Sequence, residues 1–252
     1  MYAMQSQKYA VIIGSGMGDL FQISGEQMLQ TPYGNAYLYG VKDNDNVLLL
    51  PRHGVNYSYP PHMINFRANV YALKMMNIKY AIATSAVGSL KKRFSPGSFM
   101  LLDQVIDFTK NRLSTFFDGQ GGQVIFTDVT KPYSEKVRSA IVEAGKQLQI
   151  KVYPKGTYVC TEGPRYETSA EIKAYRILGA DVVGMTGVPE VFLTKELGIE
   201  YASIAIATNW AAGMTDRIEH HMVIEIMHSA QEKAKPLILK AIEILREREE
   251  AK

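Results

Sequence analysis

"VIIGSGMGDL", residues 11–20, carries an apolar strand straight into Gly14, Gly16 and Gly18. A dinucleotide-binding loop needs glycines spaced G-x-G-x-x-G, a helix opening behind them and an acidic residue about 20 positions further on. Here the third glycine arrives one position early. No long amphipathic helix follows; the chain goes on to "AYLYGVKDNDNVLLLPRHG" (36–54), two apolar runs around an Asp/Asn turn, which predicts a β-hairpin over about 36–52. The dinucleotide reading is therefore excluded. What remains is a strand-end turn whose side chains are small enough to bring backbone N–H groups and Ser15 close to an anion.

Outward from that turn, β-type and helical segments alternate. Strands are predicted at 8–14, in the hairpin, and at 79–86, 98–106, 151–161 and 200–208; Ile, Val, Ala and Tyr dominate them, and several lack a polar face, as strands covered on both sides do. In "PPHMINFRANVYALKMMN" a proline start precedes a helix with Ile64, Ala68, Tyr71 and Met75 on one face. A long C-terminal helix follows Val223, Met227, Ala230, Ala234, Leu237 and Ala241, with Pro236 as a candidate kink, before fading into "REREEAK". The 252 residues suffice for one large α/β domain, and nothing between 1 and 252 reads as a linker or repeat. The expected architecture is a single α/β domain around a mixed central β-sheet flanked by helices.

Composition narrows the class. A formal net charge of +3 gives no electrostatic case for nucleic acid or membrane as partner, and the "KKR" at 91–93 reads as a solvated turn. One cysteine, Cys160 in an apolar strand, rules out an intramolecular disulfide framework, reads as a buried inert thiol and suits a reducing cytoplasm. No signal-peptide pattern is expected in "MYAMQSQKYA", and no apolar run reaches the roughly 20 residues that cross a bilayer.

Polar residues of interest sit at strand ends, where ligands gather in open α/β sheets. "LLLPRHG" puts Arg52 and His53 just past a strand, with Gly54 allowing a tight exit; Arg52 could pair with a carboxylate, but two such groups together favour an oxyanion. "ATSAVGSL" ends a strand in Ser85, Ala86 and Gly88. "DVVGMTGVPEV" ends another in Met185, Thr186 and Gly187 ahead of a helix start at Pro189, whose free N–H groups favour an anion. In "CTEGPRYETSAEIKAYRILGAD", Thr168 and Glu171 form a capping-box pattern. Glu167 stands just outside the first turn, where the helix dipole favours an ionised carboxylate. Arg165 and Glu162 could pair with each other, and Tyr166 beside Glu167 offers a ring next to an acceptor, a combination that grips a planar heterocycle.

"PRHG", "FRANVYALK", "TSAVGSL", "GPRYETSAE", "GADVVGMTGVPEV" and "IATNWAAG" stand in the order found in the trimeric purine nucleoside phosphorylase and 5′-methylthioadenosine phosphorylase family, which this chain resembles from about residue 8 to 245. The resemblance implies phosphorolysis of a purine nucleoside to free base and ribose 1-phosphate, with inorganic phosphate as co-substrate and no metal or organic cofactor. It implies a phosphate pocket of Ser15, Arg52, His53, the Ala86 N–H and Thr186; a ribose against Met185; and Tyr57 and Phe126 reaching into a neighbouring subunit's site, hence a homotrimer. Ser85 stands where many relatives carry Asn or Thr. The base would lie by Tyr166, Glu167 and Asn209, with Asn209, Glu167 and His53 as the catalytic set and His53 orienting phosphate.

A 6-oxopurine offers an N1–H donor and an O6 acceptor, which Glu167 and Asn209 match; the adenosine-type relatives show Ser and Asp at those places. Inosine-type and guanosine-type nucleosides are therefore expected. At the 5′ end the resemblance places His220, with His221 as fallback, yet "NWAAG" is similar to "NPAAG" of 5′-methylthioinosine phosphorylases, so 5′-methylthioinosine or 5′-methylthioadenosine remains an alternative substrate. A catalytically silent nucleoside-binding protein is the non-enzyme alternative. A metal site on His220 and His221 is disfavoured, because adjacent helical residues diverge.

Overall fold

The computed structural model describes residues 9–42, 44–54, 57–119, 124–214 and 220–251, with the backbone alone described for His220 and Met222. The N-terminal run of apolar residues forms β1 (Tyr9–Ile13), buried throughout. β2 (Ile23–Thr31), β3 (Gly34–Val41) and β4 (Asn44–Pro51) follow as an antiparallel meander, and β4 lies parallel to β1. α1 (Phe66–Met75) then leads to β5 (Tyr80–Ser89), which pairs parallel with β1. β6 (Phe99–Leu101), β7 (Gln104–Phe108), α2 (Glu135–Gln147), β8 (Val152–Tyr153) and β9 (Thr157–Thr161) come next. The chain closes with α3 (Ser169–Ile177), β10 (Val182–Gly184), α4 (Glu190–Glu196), β11 (Glu200–Trp210) and α5 (His220–Glu250).

The main path through the sheet runs β2-β3-β4-β1-β5-β10-β9-β7, while β11 joins β5 to β6 and β8 pairs with β6. Parallel and antiparallel pairs both occur, as expected for a mixed sheet. α5 and α2 cover one face, where Met227, Ala234, Leu237 and Ile141 meet Val11, Ile82 and Ile204; α1 and α4 cover the other, where Ala68, Leu73 and Val191 meet Ile12, Leu50 and Ala83. Covering both faces accounts for strands without a polar side.

Several boundaries differ from the expectations. The predicted strand 98–106 is two, because the Asp103 carboxylate accepts the Gly156 N–H at the break and the halves take different neighbours, β6 pairing with β11 and β8, β7 with β9. The stretch 151–161 likewise divides around Pro154, which has no N–H to give a ladder. β2, a largely exposed strand, and α2 have no counterpart among the expectations. On α1 the buried face is Phe66, Ala68, Val70, Ala72 and Leu73, and Met75 is exposed. The inward stripe predicted for α5 is buried at all six positions. That helix runs through Pro236 and on through the charged tail, where Arg248 pairs with Glu143 on α2 and Glu249 accepts from the Tyr80 hydroxyl.

Candidate active site

β1 pairs with β5 only as far as Ile12 opposite Ala83, and β10 takes up that edge only from Val183 opposite Gly88. Between them residues 84–87 have no strand along that edge, though β11 pairs with them on the other, and a cavity of about 300 Å³ opens there. Strand periodicity sends alternate backbone groups to opposite sides. The Val87 carbonyl accepts from Thr208 on β11, whereas the Thr84 carbonyl accepts from Arg52, so the Ala86 N–H points into the gap with Thr84.

Arg52 leaves the end of β4 and is fully buried. Its Nε and Nη2 donate to the two carboxylate oxygens of Glu190 at 2.9 and 2.7 Å, and Nη1 donates to the Thr84 carbonyl at 2.7 Å. Burial acts against its charge, but Glu190 beside it more than offsets this and holds Arg52 above its ordinary value. Arg52 has the carboxylate partner and also lines the cavity: the fork is clamped from behind, with two further N–H groups left over. Nη1 lies 2.7 Å from where a Cβ on Gly14 would sit, so only glycine at 14 allows this approach. Gly16 has φ +67°, the Met17 N–H closes the turn on the Gly14 carbonyl, and Gln231 of α5 donates to the Gly16 carbonyl at 2.7 Å. The glycine turn is thus bolted to the C-terminal helix.

His53 is buried, stacks on Tyr57 with ring centroids 4.1 Å apart, and places Nδ1 2.8 Å from the Tyr59 carbonyl. Burial pushes its imidazole down to about 4. Ser15 donates to the Tyr57 hydroxyl at 3.1 Å. Both line the cavity, as do Ala86, Met185 and Thr186. Tyr57 therefore stands in its own chain's site, against the expectation that it would serve a neighbour's. The N–H groups of Thr186 and Gly187 donate to the Tyr158 hydroxyl at 3.1 and 3.2 Å, leaving the Thr186 side chain as its polar contribution.

At the other side of the cavity stand Tyr166, Glu167 and Asn209. α3 carries the predicted capping box, with Thr168 accepting from the Glu171 N–H and the Glu171 carboxylate accepting from the Thr168 N–H. Arg165 pairs with Glu171, not with Glu162, because both of its N–H ends reach the helix-start carboxylate; Glu162 instead accepts the Lys110 N–H and faces Arg112. The Glu171 carboxyl is held down to about 2 by its bonds from Arg165 and the Thr168 N–H. Glu167, mostly buried, accepts from Thr161 Oγ1 at 2.7 Å through Oε1, and burial raises its carboxyl above the usual range. Asn209 Nδ2 donates to the Trp210 carbonyl at 2.9 Å and Oδ1 accepts from Thr208 at 2.9 Å. A carbonyl can only accept, so the amide orientation is fixed, with one N–H and one lone pair left for a ligand.

Phe126 lines no part of this cavity and is 95% exposed. Ser85 is turned away and shares a hydrogen bond with Ser203. The side chain of His220 lies outside the described residues. Cys160 is buried, its thiol pushed up to about 11 by burial. Among the described residues no group of three His, Cys, Asp or Glu could hold a metal ion, and no helix is long and apolar enough to cross a membrane. Glu190, Thr161, Tyr158 and Thr208 escaped the sequence reading. Glu190 alone left a signal there, as a carboxylate inside the apolar run "GVPEVF".

The model of the phosphorylase superfamily matches residues 8–243. The chain belongs to that superfamily. It is 46% identical over 246 residues to the 6-oxopurine nucleoside phosphorylase of Pyrococcus furiosus, covering 94% of this chain and 93% of that one. It is 41% identical over 239 residues to the S-methyl-5′-thioadenosine phosphorylase of Hyperthermus butylicus, covering 92% and 86%. Among solved structures, methylthioadenosine phosphorylase from Schistosoma mansoni in complex with adenine superposes with a TM-score of 0.89 at 31% identity, over 94% of this chain and 91% of that one.

Proposed function

We propose that this enzyme cleaves 6-oxopurine nucleosides by phosphorolysis: a phosphate oxygen bonds to C1′, the C1′–N9 bond breaks with its electron pair passing to the purine, and free base and ribose 1-phosphate leave. One observation carries the reading. A carboxylate and a fixed amide, Glu167 and Asn209, share a single cavity with Arg52, His53 and Ser15. The free oxygen of Glu167 accepts from N1–H, and the free Asn209 N–H donates to O6 while its carbonyl receives the proton arriving at N7. As the bond stretches, the sugar becomes cationic and the purine anionic; phosphate under the sugar and Asn209 at the base both strengthen their contacts, which is what raises turnover. Arg52, the Ala86 N–H, Ser15 and Thr186 hold the anion, Met185 and Tyr57 flank the ribose, and Tyr166 lies along the base. His220 is assigned to the 5′-hydroxyl.

Phosphate serves as co-substrate and no cofactor takes part in these steps. A homotrimer in a reducing cytoplasm fits the family resemblance and the reduced, buried Cys160. A buried apolar residue, Val223, lines the same cavity and favours a second reading, in which a 5′-methylthio group replaces the hydroxyl.

Base release from inosine, guanosine, adenosine, 5′-methylthioinosine and 5′-methylthioadenosine, with and without phosphate, tests all of this. Inosine and guanosine should lead adenosine by roughly 10⁴ to 10⁵ in kcat/KM, since the wrong base leaves buried polar groups without partners. Adenosine in the lead would overturn the base assignment. The inosine to 5′-methylthioinosine ratio decides the 5′ end, and binding without turnover would mark a silent nucleoside-binding protein.

A further inference from the structure

The Tyr59 carbonyl decides the tautomer of His53. An oxygen that can only accept, 2.8 Å from Nδ1, requires the proton on Nδ1, so in the neutral ring Nε2 carries a bare lone pair. Tyr57 stacks across the ring face, and Nε2 has no hydrogen-bond partner among the described residues. Burial lowers the imidazole and outweighs the Tyr59 carbonyl, which raises it; the neighbouring Arg52 lowers it further, and the carboxylate of Glu190 is spent on Arg52. Among the side chains assigned to the anion, His53 is therefore the one that can only accept, since the Ser15 and Thr186 hydroxyls can turn to donate.

A bare anion oxygen facing that lone pair meets repulsion and finds no hydrogen bond. An oxygen that brings its own proton does. Hydrogenphosphate has one O–H to give Nε2, while its other oxygens take the spare Arg52 N–H groups and the Ala86 N–H. Sulfate has the same shape and charge near neutral pH but no proton to give. We propose that His53, locked as the Nδ1–H tautomer by the Tyr59 carbonyl, determines co-substrate specificity by making this site take a protonated tetrahedral oxyanion in preference to sulfate. Rejecting the wrong ligand with a mismatched polar group is a general route to specificity.

The inference rests on the phosphorolytic reading, and its test separates the two. Phosphate and sulfate are titrated calorimetrically into the full-length protein near neutral pH, and sulfate is measured as a competitor of phosphate in the inosine assay. Sulfate should bind more weakly by at least about tenfold, the cost of one buried acceptor left without a donor. In His53→Gln the side-chain amide can offer N–H to either anion, so the two affinities should come within about threefold; His53→Asn serves if the longer amide disturbs the turn. Equal binding of the two anions by the unaltered protein would overturn the proposal, as would a preference that persists in both variants. Base release at an unchanged rate without phosphate would instead remove the phosphorolytic reading, and this inference with it.

Discussion

Glu167 sits at a place where protonation reverses its chemistry. Burial raises its carboxyl, partly opposed by the Thr161 hydroxyl, so its proton is lost at higher pH than an ordinary glutamate's. Above that point the carboxylate accepts from N1–H of a 6-oxopurine. Below it the O–H becomes a donor, which suits the bare N1 of a 6-aminopurine. The adenosine to inosine ratio of kcat/KM should therefore rise as pH is lowered from ~8 to ~5, and Glu167→Gln, which cannot titrate, should flatten the profile. A ratio independent of pH in the unaltered protein would show that Glu167 does not face N1. The residue types here were legible in the sequence, because Tyr166 and Glu167 sit beside a capping box whose spacing is local. Their supports were not. Glu190 reaches Arg52 across 138 positions of chain, so no local window contains that pair, and Thr161, six positions before Glu167, meets it only because the chain turns back between the end of β9 and the start of α3, a turn that spacing alone does not reveal.

At the scale of elements, the glycine turn and α5 behave as one unit. Gly16 needs its left-handed backbone, and a Cβ there would lie 2.6 Å from the Met227 Cβ, too close for either to yield cheaply. Gly16→Ala is expected to cost about 2 to 4 kcal/mol, combining the left-handed penalty of a Cβ with overpacking against the helix. Because the same turn presents Ser15, the KM for phosphate should rise more than that for inosine. Urea denaturation and a two-substrate rate matrix check both; a stability change without any shift in phosphate KM would uncouple the turn from the anion. The stripe from Val223 to Ala241 was readable because a 3.6-residue period survives over five turns. The α1 face was misjudged, since Phe66 and Val70 pack inward together with Ala68 and Ala72 and leave Met75 in solvent. Short strands such as β8 and β10 depend on which neighbour completes the ladder, information held by the sheet and not by the segment.

The whole molecule leaves apolar surface uncovered. Val124, Ile125 and Phe126 are consecutive and exposed, and Phe126, the aromatic implied by family resemblance to serve a shared site, lines no part of its own chain's cavity. In a homotrimer each Phe126 would cover the sugar side of the next subunit's cavity, excluding water where the oxocarbenium-like charge develops. Sedimentation should then give about three chain masses, since a closed ring of identical contacts fixes the count. Phe126→Ala should keep that mass and the fold while raising the KM for inosine about tenfold, the scale of a lost aromatic contact of about 1.4 kcal/mol. A fully active monomer, or an unchanged KM in Phe126→Ala, would mean that each chain completes its site alone, with Tyr57 stacked on its own His53 as the aromatic wall.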